Sequence, residues 1–269
     1  MPTETAYAKI NLALHVRARR DDGYHELETL FAFVDQGDLL SASSADIDQL
    51  KTVGEFGGQL ADPMDNIVAK TLSVLPRSQG LEIVMEKNLP VAAGLGGGSA
   101  DAGAVFRIVR ELYRLPDDWQ DRAAKLGADV PACVDSLTCI GRGTGTELEA
   151  IDSDLTGTPV LLVNPRVPLA TGPVFTAWDG NDRGPMPTGS VSEIAMNGRN
   201  DLEGPALSLC PQIGDVLKAL KTSDAFLVRM SGSGATCFAL FKEDASMRAA
   251  SEEIAHHQPE WWQMQGKLR

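Results

Sequence analysis

Four glycines form a cluster that directly precedes a helical pattern in this chain. They are Gly94, Gly96, Gly97 and Gly98. Backbone N–H groups in a run with so few side chains can approach a ligand closely, and positive φ angles are accessible there. The pattern that follows has apolar residues at i, i+3, i+4 and i+7, namely Val105, Ile108, Val109 and Leu112. A glycine loop that leads into a helix N-terminus favours an anion site, most often for phosphate, over a flexible surface loop.

The glycine run fits neither of two common nucleotide-binding motifs. A P-loop requires a lysine after its last glycine, whereas Gly98 is followed by Ser99. A G-x-G-x-x-G fingerprint would need its third glycine where Ser99 or Asp101 stands. Pro90 also separates the preceding apolar run from the glycines, whereas a Rossmann turn follows its strand directly. The sequence therefore argues against a nicotinamide-dependent oxidoreductase.

Three further groups of polar residues are candidates for chemistry, and each also has a purely structural interpretation. Lys9 and Asn11 share the polar face of an alternating strand, about 7 Å apart, where a solvated face is the common case. Tyr24 and His25 are by themselves typical of a core aromatic and a hydrogen-bonded histidine. Asp129, directly before Val-Pro, is by itself typical of a turn or a helix cap.

Several of these stretches resemble the GHMP kinase superfamily. The segment from Pro90 to Ala102 is similar to its ATP loop, which holds ATP phosphates on glycines and a helix dipole without a P-loop lysine. Met-Ser-Gly-Ser-Gly-Ala-Thr at 230–236 resembles the third motif of the superfamily. Within it, Ala-Lys-Ile-Asn-Leu at 8–12, Asp-Gly-Tyr-His at 22–25 and Gly-Ala-Asp-Val-Pro at 127–131 resemble the 4-diphosphocytidyl-2-C-methyl-D-erythritol kinases.

This resemblance implies ATP-dependent phosphorylation of the 2-hydroxyl of 4-diphosphocytidyl-2-C-methyl-D-erythritol in the non-mevalonate isoprenoid pathway. Asp129 would be the catalytic base, and Lys9 would keep it ionised and offset charge on the transferring phosphoryl group. ATP would be bound by Pro90, Gly94, Leu95, Gly96, Gly97, Gly98, Ser99 and Ala100, with Asn66 near the adenosine. The acceptor, a small molecule linked to cytidine diphosphate, would be bound by Asn11, Tyr24, His25, Thr171, Phe175, Gly232 and Gly234.

The resemblance also implies finer roles for some of these residues. Tyr24 and Phe175 would stack on opposite faces of the cytosine, and His25 would hydrogen-bond its edge. Mg²⁺ would accompany ATP, with the Ser99 hydroxyl as a candidate ligand. Asn66 has a structural interpretation as well, because Asp65 or Asn66 would make a suitable helix N-cap.

Two alternatives remain open at this stage. A mevalonate- or homoserine-type kinase would share the glycine run and the turn at 232–234, but would have no need of an aromatic sandwich for a base. A non-catalytic nucleotide-binding module is the alternative from a different class, although the presence of both Lys9 and Asp129 argues against it.

The implied fold class is α+β, a two-subdomain GHMP kinase-like fold. Residues 1–155 would form an N-terminal ATP-binding domain (ribosomal protein S5 domain 2-like), and residues 156–269 a ferredoxin-like C-terminal domain.

Local patterns predict the elements that position these residues. Strands are predicted at 6–15, 25–34, 81–85, 133–140 and 158–163, with turns at 35–38 and 141–146 and a strand–turn–strand at 226–241. Helices are predicted from 66, with Ile67, Leu72 and Leu75 in the core, after the glycine run, and from 200, 213 and 243. The segment 179–197 is predicted as a mobile loop or linker.

Composition limits the class of partner. The chain has 269 residues and a formal net charge of −13, which argues against nucleic acid. Four cysteines show no metal-ligand spacing. The first residues lack the basic and apolar regions of a leader, and no apolar run is long enough to span a membrane, so we expect neither. We expect a cytoplasmic protein with reduced thiols. The sequence does not indicate an oligomeric state.

Overall fold

The computed structural model describes residues 1–60 and 66–269, so Asp65 lies outside the described residues. The strands are β1 (Thr3–Arg19), β2 (His25–Ala45), β3 (Gln49–Val53), β4 (Gly80–Glu86), β5 (Cys139–Gly143), β6 (Glu147–Ala150), β7 (Pro159–Asn164), β8 (Leu227–Met230), β9 (Cys237–Leu240) and β10 (Trp262–Lys267). The helices are α1 (Ile67–Val74), α2 (Gly97–Leu112), α3 (Trp119–Leu126), α4 (Val130–Asp135), α5 (Thr171–Thr176), α6 (Val191–Asn197), α7 (Glu203–Leu209), α8 (Gln212–Lys221) and α9 (Asp244–His257). This mixed helix and strand content confirms the α+β class.

The first of two compact units comprises Met1–Lys9, Gly37–Val91 and Gly96–Ser136. In it, the C-terminal part of β2 pairs antiparallel with β4, and β4 pairs parallel with β3. Helices α1, α3 and α4 contact one another or α2. Its buried residues include Leu40, Leu72, Ile83, Val105 and Phe106.

The second unit comprises Ile10–Gln36, Ala92–Leu95 and Leu137–Arg269. The N-terminal part of β2 pairs with β5, which forms a hairpin with β6. A second sheet has the order β10-β7-β9-β8, antiparallel throughout. Its core contains the apolar face of α8, formed by Ile213, Val216, Leu217 and Leu220 as the sequence periodicity predicts.

The predicted turn at 35–38 is wrong, because β2 continues through it to Ala45. Asp and Gly favour turns locally, but tertiary contacts override that preference here. A Cβ on Gly37 would lie 1.9 Å from the Ala6 carbonyl oxygen, so the strand packs closely on backbone at this point. The Asp38 carboxylate is fully buried and accepts hydrogen bonds from the backbone N–H groups of Asn88 and Leu89.

Other predictions need correction for similar reasons. Residues 130–135 form α4 instead of the start of a strand, and only Cys139–Gly143 is extended. Segment 179–197 contains helix α6, whose start carries a complete capping box between Ser190 and Glu193. Strand β10 was not predicted; it pairs with β7 along the edge of the second sheet. Ile67 is only half-buried, so it is not a core residue as predicted.

Several other predictions are confirmed. The alternating N-terminal segment is a strand, helix α2 starts within the glycine run, and residues 141–146 connect the β5–β6 hairpin. The four cysteines are free and buried. Within the described ranges, no helix is long and apolar enough to cross a membrane.

Candidate active site

The glycine run adopts the geometry that its composition predicts. Gly96 is the N-cap of α2 with a left-handed φ of 60°, a conformation that glycine adopts without steric cost. Helix α2 begins at Gly97, and the first intrahelical hydrogen bond here runs from the Ala100 N–H to the Gly96 carbonyl. The amides of residues 97–99 therefore face the N-terminal end of the helix, which suits an anion. Gly98 is exposed at this end.

Lys9 and Asp129 form an ion pair in the first unit. The distance from Lys9 Nζ to Asp129 Oδ2 is 3.0 Å, and the side chains are 5% and 32% exposed. The polar face of β1 at Lys9 is therefore buried, not solvated. Asp129 is the N-cap residue of α4, yet in the described part of the chain its side chain makes no capping hydrogen bond. The carboxylate pairs with the lysine instead.

The start of α2 lies directly against this ion pair. A Cβ on Gly96 would lie 3.0 Å from Lys9 Cε and 3.7 Å from Asp129 Oδ2. A cation, a partly accessible carboxylate and a turn whose amides suit an anion are thus grouped in one place. That grouping suits proton removal from an alcohol beside a phosphoryl group.

Two more of the predicted ATP residues lie in the same unit. The Ser99 hydroxyl is 3.9 Å from the position that a Cβ on Gly127 would occupy. Asn66 is the N-cap of α1, and its Oδ1 accepts a hydrogen bond of 2.9 Å from the Val68 N–H. The capping interpretation of Asn66 is confirmed. The predicted ATP residues Pro90, Leu95 and Ala100 are buried.

In the second unit, Asn11 is held by hydrogen bonds. Its Nδ2 donates to Thr29 Oγ1 over 2.8 Å, and its backbone N–H donates to Ser231 Oγ over 3.2 Å. Thr29 Oγ1 in turn donates to the Ala13 carbonyl over 2.7 Å. A Cβ on Gly232 would lie 3.2 Å from Asn11 Oδ1. The Asn11 amide is therefore fixed in orientation, and the turn beside it has to be glycine.

The turn at 231–234 packs on the residues that precede α2. Ser231 Oγ donates to the Gly94 carbonyl over 2.8 Å. A Cβ on Gly94 would lie 2.3 Å from the Ser231 carbonyl oxygen, and both Gly94 and Gly234 have positive φ. Thr171 and Ser233 share a hydrogen bond of 3.0 Å between their hydroxyls. Four of the predicted site residues are thus brought together here, namely Gly94, Thr171, Gly232 and Gly234.

An aromatic cluster contains two of the predicted base-binding residues. The His25 ring lies 5.0 Å from Phe175 and 5.7 Å from Trp178, the latter edge-on at 80°. His25 is 8% exposed, and within residues 1–60 and 66–269 its Nε2 has no hydrogen-bond partner. Burial lowers the pKa of His25, and the nearby Arg19 cation lowers it further. Tyr24 is 62% exposed.

Sequence reasoning missed several residues that shape the site. Thr29 orients Asn11, Trp178 completes the aromatic cluster, and Ser231 holds the Gly94 backbone. Ser231 lies inside the 230–236 motif and could have been found there. Thr29 and Trp178 carry no local signal, because their roles arise from residues distant in sequence.

Comparison with known proteins defines the class. Residues 66–136 match the GHMP kinases N terminal domain, and residues 189–259 match the family described as GHMP kinases C terminal. A solved homoserine kinase from Cytophaga hutchinsonii is 17% identical with a TM-score of 0.68, over 100% of this chain and 96% of that chain, and shares the fold. The fold and the matched segments define a GHMP kinase.

Relatives that match over nearly the full length show which family of GHMP kinases the chain belongs to. The chain is 62% identical to the 4-diphosphocytidyl-2-C-methyl-D-erythritol kinase of Erythrobacter litoralis over 100% of both chains. It is 65% identical to the kinase of the same name from Novosphingobium aromaticivorans, over 99% of this chain and 92% of that one. A crystal structure of 4-(cytidine 5'-diphospho)-2C-methyl-D-erythritol kinase matches with a TM-score of 0.85 and 31% identity, over 99% of each chain. The chain belongs to the 4-diphosphocytidyl-2-C-methyl-D-erythritol kinase family and is an ATP-dependent small-molecule kinase.

Proposed function

We propose that this enzyme transfers the γ-phosphoryl group of ATP to the 2-hydroxyl of 4-diphosphocytidyl-2-C-methyl-D-erythritol, a step of the non-mevalonate isoprenoid pathway. The names of the full-length relatives support this acceptor. The observation that carries the reaction type is the Lys9–Asp129 ion pair against the N-cap of α2.

Asp129 acts as the general base. Its carboxylate accepts the proton of the acceptor hydroxyl while that oxygen bonds to the γ-phosphorus and the bond to the ADP oxygen breaks. Lys9 pairs with Asp129 at 3.0 Å and offsets negative charge on the transferring group. The exposure of Asp129, at 32%, leaves room for a substrate hydroxyl to reach it.

The glycine run binds the ATP phosphates through backbone N–H groups, since an acidic chain with a formal charge of −13 offers little general attraction for a polyanion. Pro90, residues 94–100 and the cap residue Asn66 make up this proposed ATP site. Ser99 fits Mg²⁺ in that its hydroxyl is a hard oxygen donor at the start of α2. When bound, Mg²⁺ would supply charge neutralisation on the phosphate oxygens.

The second unit supplies the residues proposed to bind the acceptor. Asn11, whose amide is fixed by Thr29, hydrogen-bonds acceptor oxygens. Tyr24 and Phe175 stack on the cytosine, and the neutral His25 ring reads its edge, because a neutral imidazole offers one donor and one acceptor. Thr171, Gly232 and Gly234 complete this set.

We further propose the division into domains at 1–155 and 156–269. The two matched family segments fall on either side of that boundary, at 66–136 and 189–259, which supports it. A cytoplasmic location and the absence of nucleic-acid partners also stay proposals, supported by the reduced thiols and the acidic composition.

The test is ADP release from ATP and Mg²⁺ with three separate acceptors: 4-diphosphocytidyl-2-C-methyl-D-erythritol, mevalonate and homoserine. We expect release with the cytidyl acceptor alone, and competition by CMP or CDP. Release with another acceptor would refute the base-binding assignment while keeping the phosphoryl-transfer chemistry. ATP binding without release for any acceptor would refute the catalytic proposal and favour a binding module.

A further inference from the structure

A second lysine, fully buried, lies under the same helix start. Lys87 Nζ is 2.5 Å from Asp38 Oδ2 and 2.6 Å from Asp101 Oδ2. The three side chains are 2%, 0% and 2% exposed, respectively. We call Lys87, Asp38 and Asp101 the buried triad. The reaction described above uses none of them.

The buried triad joins three segments that meet beneath the glycine run. Asp38 belongs to β2, Lys87 follows directly after β4, and Asp101 lies in the second turn of α2. The second oxygen of Asp38, Oδ1, accepts hydrogen bonds of 2.6 Å and 2.8 Å from the N–H groups of Asn88 and Leu89. The chain is therefore fixed both just before the glycine run and just after it.

Lys87 lies close to the glycine run itself. A Cβ on Gly97 would lie 3.2 Å from Lys87 Nζ and 3.7 Å from the Cβ of Leu89. Gly97 is the first residue of α2, so the buried ammonium group lies beside the start of this helix. Because interiors are close-packed, loss of the Lys87 side chain would let this turn shift.

Lys87 could either attract the nucleotide phosphates by its charge or fix the geometry of the glycine run. The net charge of the triad distinguishes these two roles. The triad contains one ammonium and two carboxyl groups, so it carries no excess of positive charge that would attract a polyphosphate. A buried lysine in such a cluster can instead fix geometry, because its contacts are short and its side chain cannot move into solvent. Misplacing a binding group by about 1 Å can cost on the order of 10²-fold in rate.

We propose that Lys87 is a positioning residue for nucleotide binding, which holds the start of α2 in the geometry that receives the ATP phosphates. This inference rests on the proposed binding of ATP by the glycine run. Lys87 does not touch the nucleotide phosphates; it acts through Gly97 and Asp101. The role differs from plain structural support in that its loss weakens nucleotide binding specifically.

The experiment measures the Kd of the full-length protein for ATP by calorimetry, the KM for each substrate, and the free energy of unfolding. For Lys87→Met, the Kd for ATP is expected to rise by at least about tenfold, with the KM for the acceptor unchanged. Lys267→Met is the matched control, because Lys267 makes an exposed ion pair of 3.1 Å with Asp244. That variant is expected to leave the Kd for ATP unchanged.

Two gentler variants keep the test decisive if Lys87→Met does not fold. Lys87→Gln keeps a hydrogen-bond donor and should raise the Kd for ATP by a smaller factor. Asp101→Asn keeps an oxygen acceptor for Lys87 and should retain tight ATP binding. An unchanged Kd in the lysine variants, or an equal weakening of both substrates, would overturn the inference. ATP binding is measured without an acceptor, so failure of the proposed acceptor does not affect this result.

Discussion

Two lysine–aspartate clusters lie in the same compact unit and differ in access. Lys9 pairs with one aspartate, and that aspartate side chain is 32% exposed. Lys87 pairs with Asp38 and Asp101, whose side chains are 0% and 2% exposed. Both clusters lie against the first residues of α2, at Gly96 and Gly97.

The difference in access is the basis on which we propose chemistry for one cluster and positioning for the other. A carboxylate that solvent reaches can exchange a proton with a ligand, whereas a fully buried one is committed to its protein partners. Burial by itself lowers the pKa of Lys87, but the carboxylates of Asp101 and Asp38 outweigh it and raise that pKa. Lys87 therefore stays charged inside the unit.

The largest expected effect is on catalysis at the accessible cluster. Asp129→Asn removes the proposed base but keeps the size of the side chain, so kcat should fall by about 10²- to 10⁴-fold. The Kd for ATP and the midpoint of thermal unfolding should change little. Steady-state kinetics and calorimetry make the measurement, with Asp135→Asn on the same short helix as control. A kcat near that of the wild type would show that Asp129 is not the base, and the two clusters would then not differ in catalytic role.

The buried cluster should show its largest effect in stability. Lys87→Met leaves two buried carboxyl groups without their cation, and breaking a buried pair in this way typically costs about 3–5 kcal/mol. Denaturant unfolding followed by circular dichroism would report the free energy of unfolding. Lys9→Met is the informative partner, since Asp129 can turn to solvent and the loss should be smaller. Equal losses for the two lysine variants would show that exposure does not distinguish the clusters.

An aromatic variant tests whether loss of kcat is specific to the accessible cluster. Phe175→Ala removes a ring proposed to stack on the base, and base–aromatic stacking is worth about 1–3 kcal/mol. The KM for the acceptor should therefore rise by roughly fivefold to 150-fold, with kcat much less affected. Tyr24→Phe keeps the ring and serves as the control. A fall in kcat with KM unchanged would contradict the stacking role.

A buried histidine sharpens the comparison further. His15 is fully buried in β1; its Nδ1 lies 3.3 Å from the Gly184 carbonyl, and its Nε2 accepts the Arg199 N–H over 3.2 Å. Burial lowers the pKa of His15 below 6.5 and the Arg199 cation lowers it further, although Gly184, Asp201 and Glu28 act in the opposite direction.

The sign of the pH effect follows from that lowered pKa. Below the unfolded-state pKa of about 6.5, the unfolded chain binds more protons than the folded one at this position, so stability falls as pH falls. The free energy of unfolding, measured from pH 7 to pH 5, should decline less steeply in His15→Asn than in the wild type. His25 shifts in the same direction and remains in both proteins, so it cancels in the difference. Identical slopes would contradict the prediction.

The smallest effect is expected at an ion pair on the surface. Arg142 and Glu149 face each other across the β5–β6 hairpin with side chains 49% and 61% exposed. Exposed ion pairs contribute about 0–1 kcal/mol to stability, so Glu149→Gln should change the free energy of unfolding by less than about 1 kcal/mol. A loss comparable to that of Lys87→Met would show that pairing matters more than burial in this protein.

Many local elements could be predicted because their patterns are complete within a few residues. The alternation around Lys9 fixes a strand, the glycines fix the start of α2, and the spacing in 213–220 fixes a buried helix face. The prediction of a turn at 35–38 was wrong because Asp38 is held by backbone groups from a distant segment. Strand β10 was not predicted because its pairing with β7 is a contact between distant segments, which leaves no pattern in the local sequence of either strand.

The sequence alone determined which residue types are available for chemistry. These are a glycine run of the kind that binds phosphate but lacks the P-loop lysine, the candidate base Asp129, and Tyr24 beside His25. The resemblance had already paired Lys9 with Asp129, whereas the tertiary structure was needed to show that Lys87 meets Asp38 and Asp101 and that Asp129 alone of these three aspartates is partly exposed. The physical reason is that local patterns fix backbone angles and the faces of one element, whereas burial depends on what other segments cover. Lys9 and Lys87 look alike in the sequence, and the fold around each one makes them different.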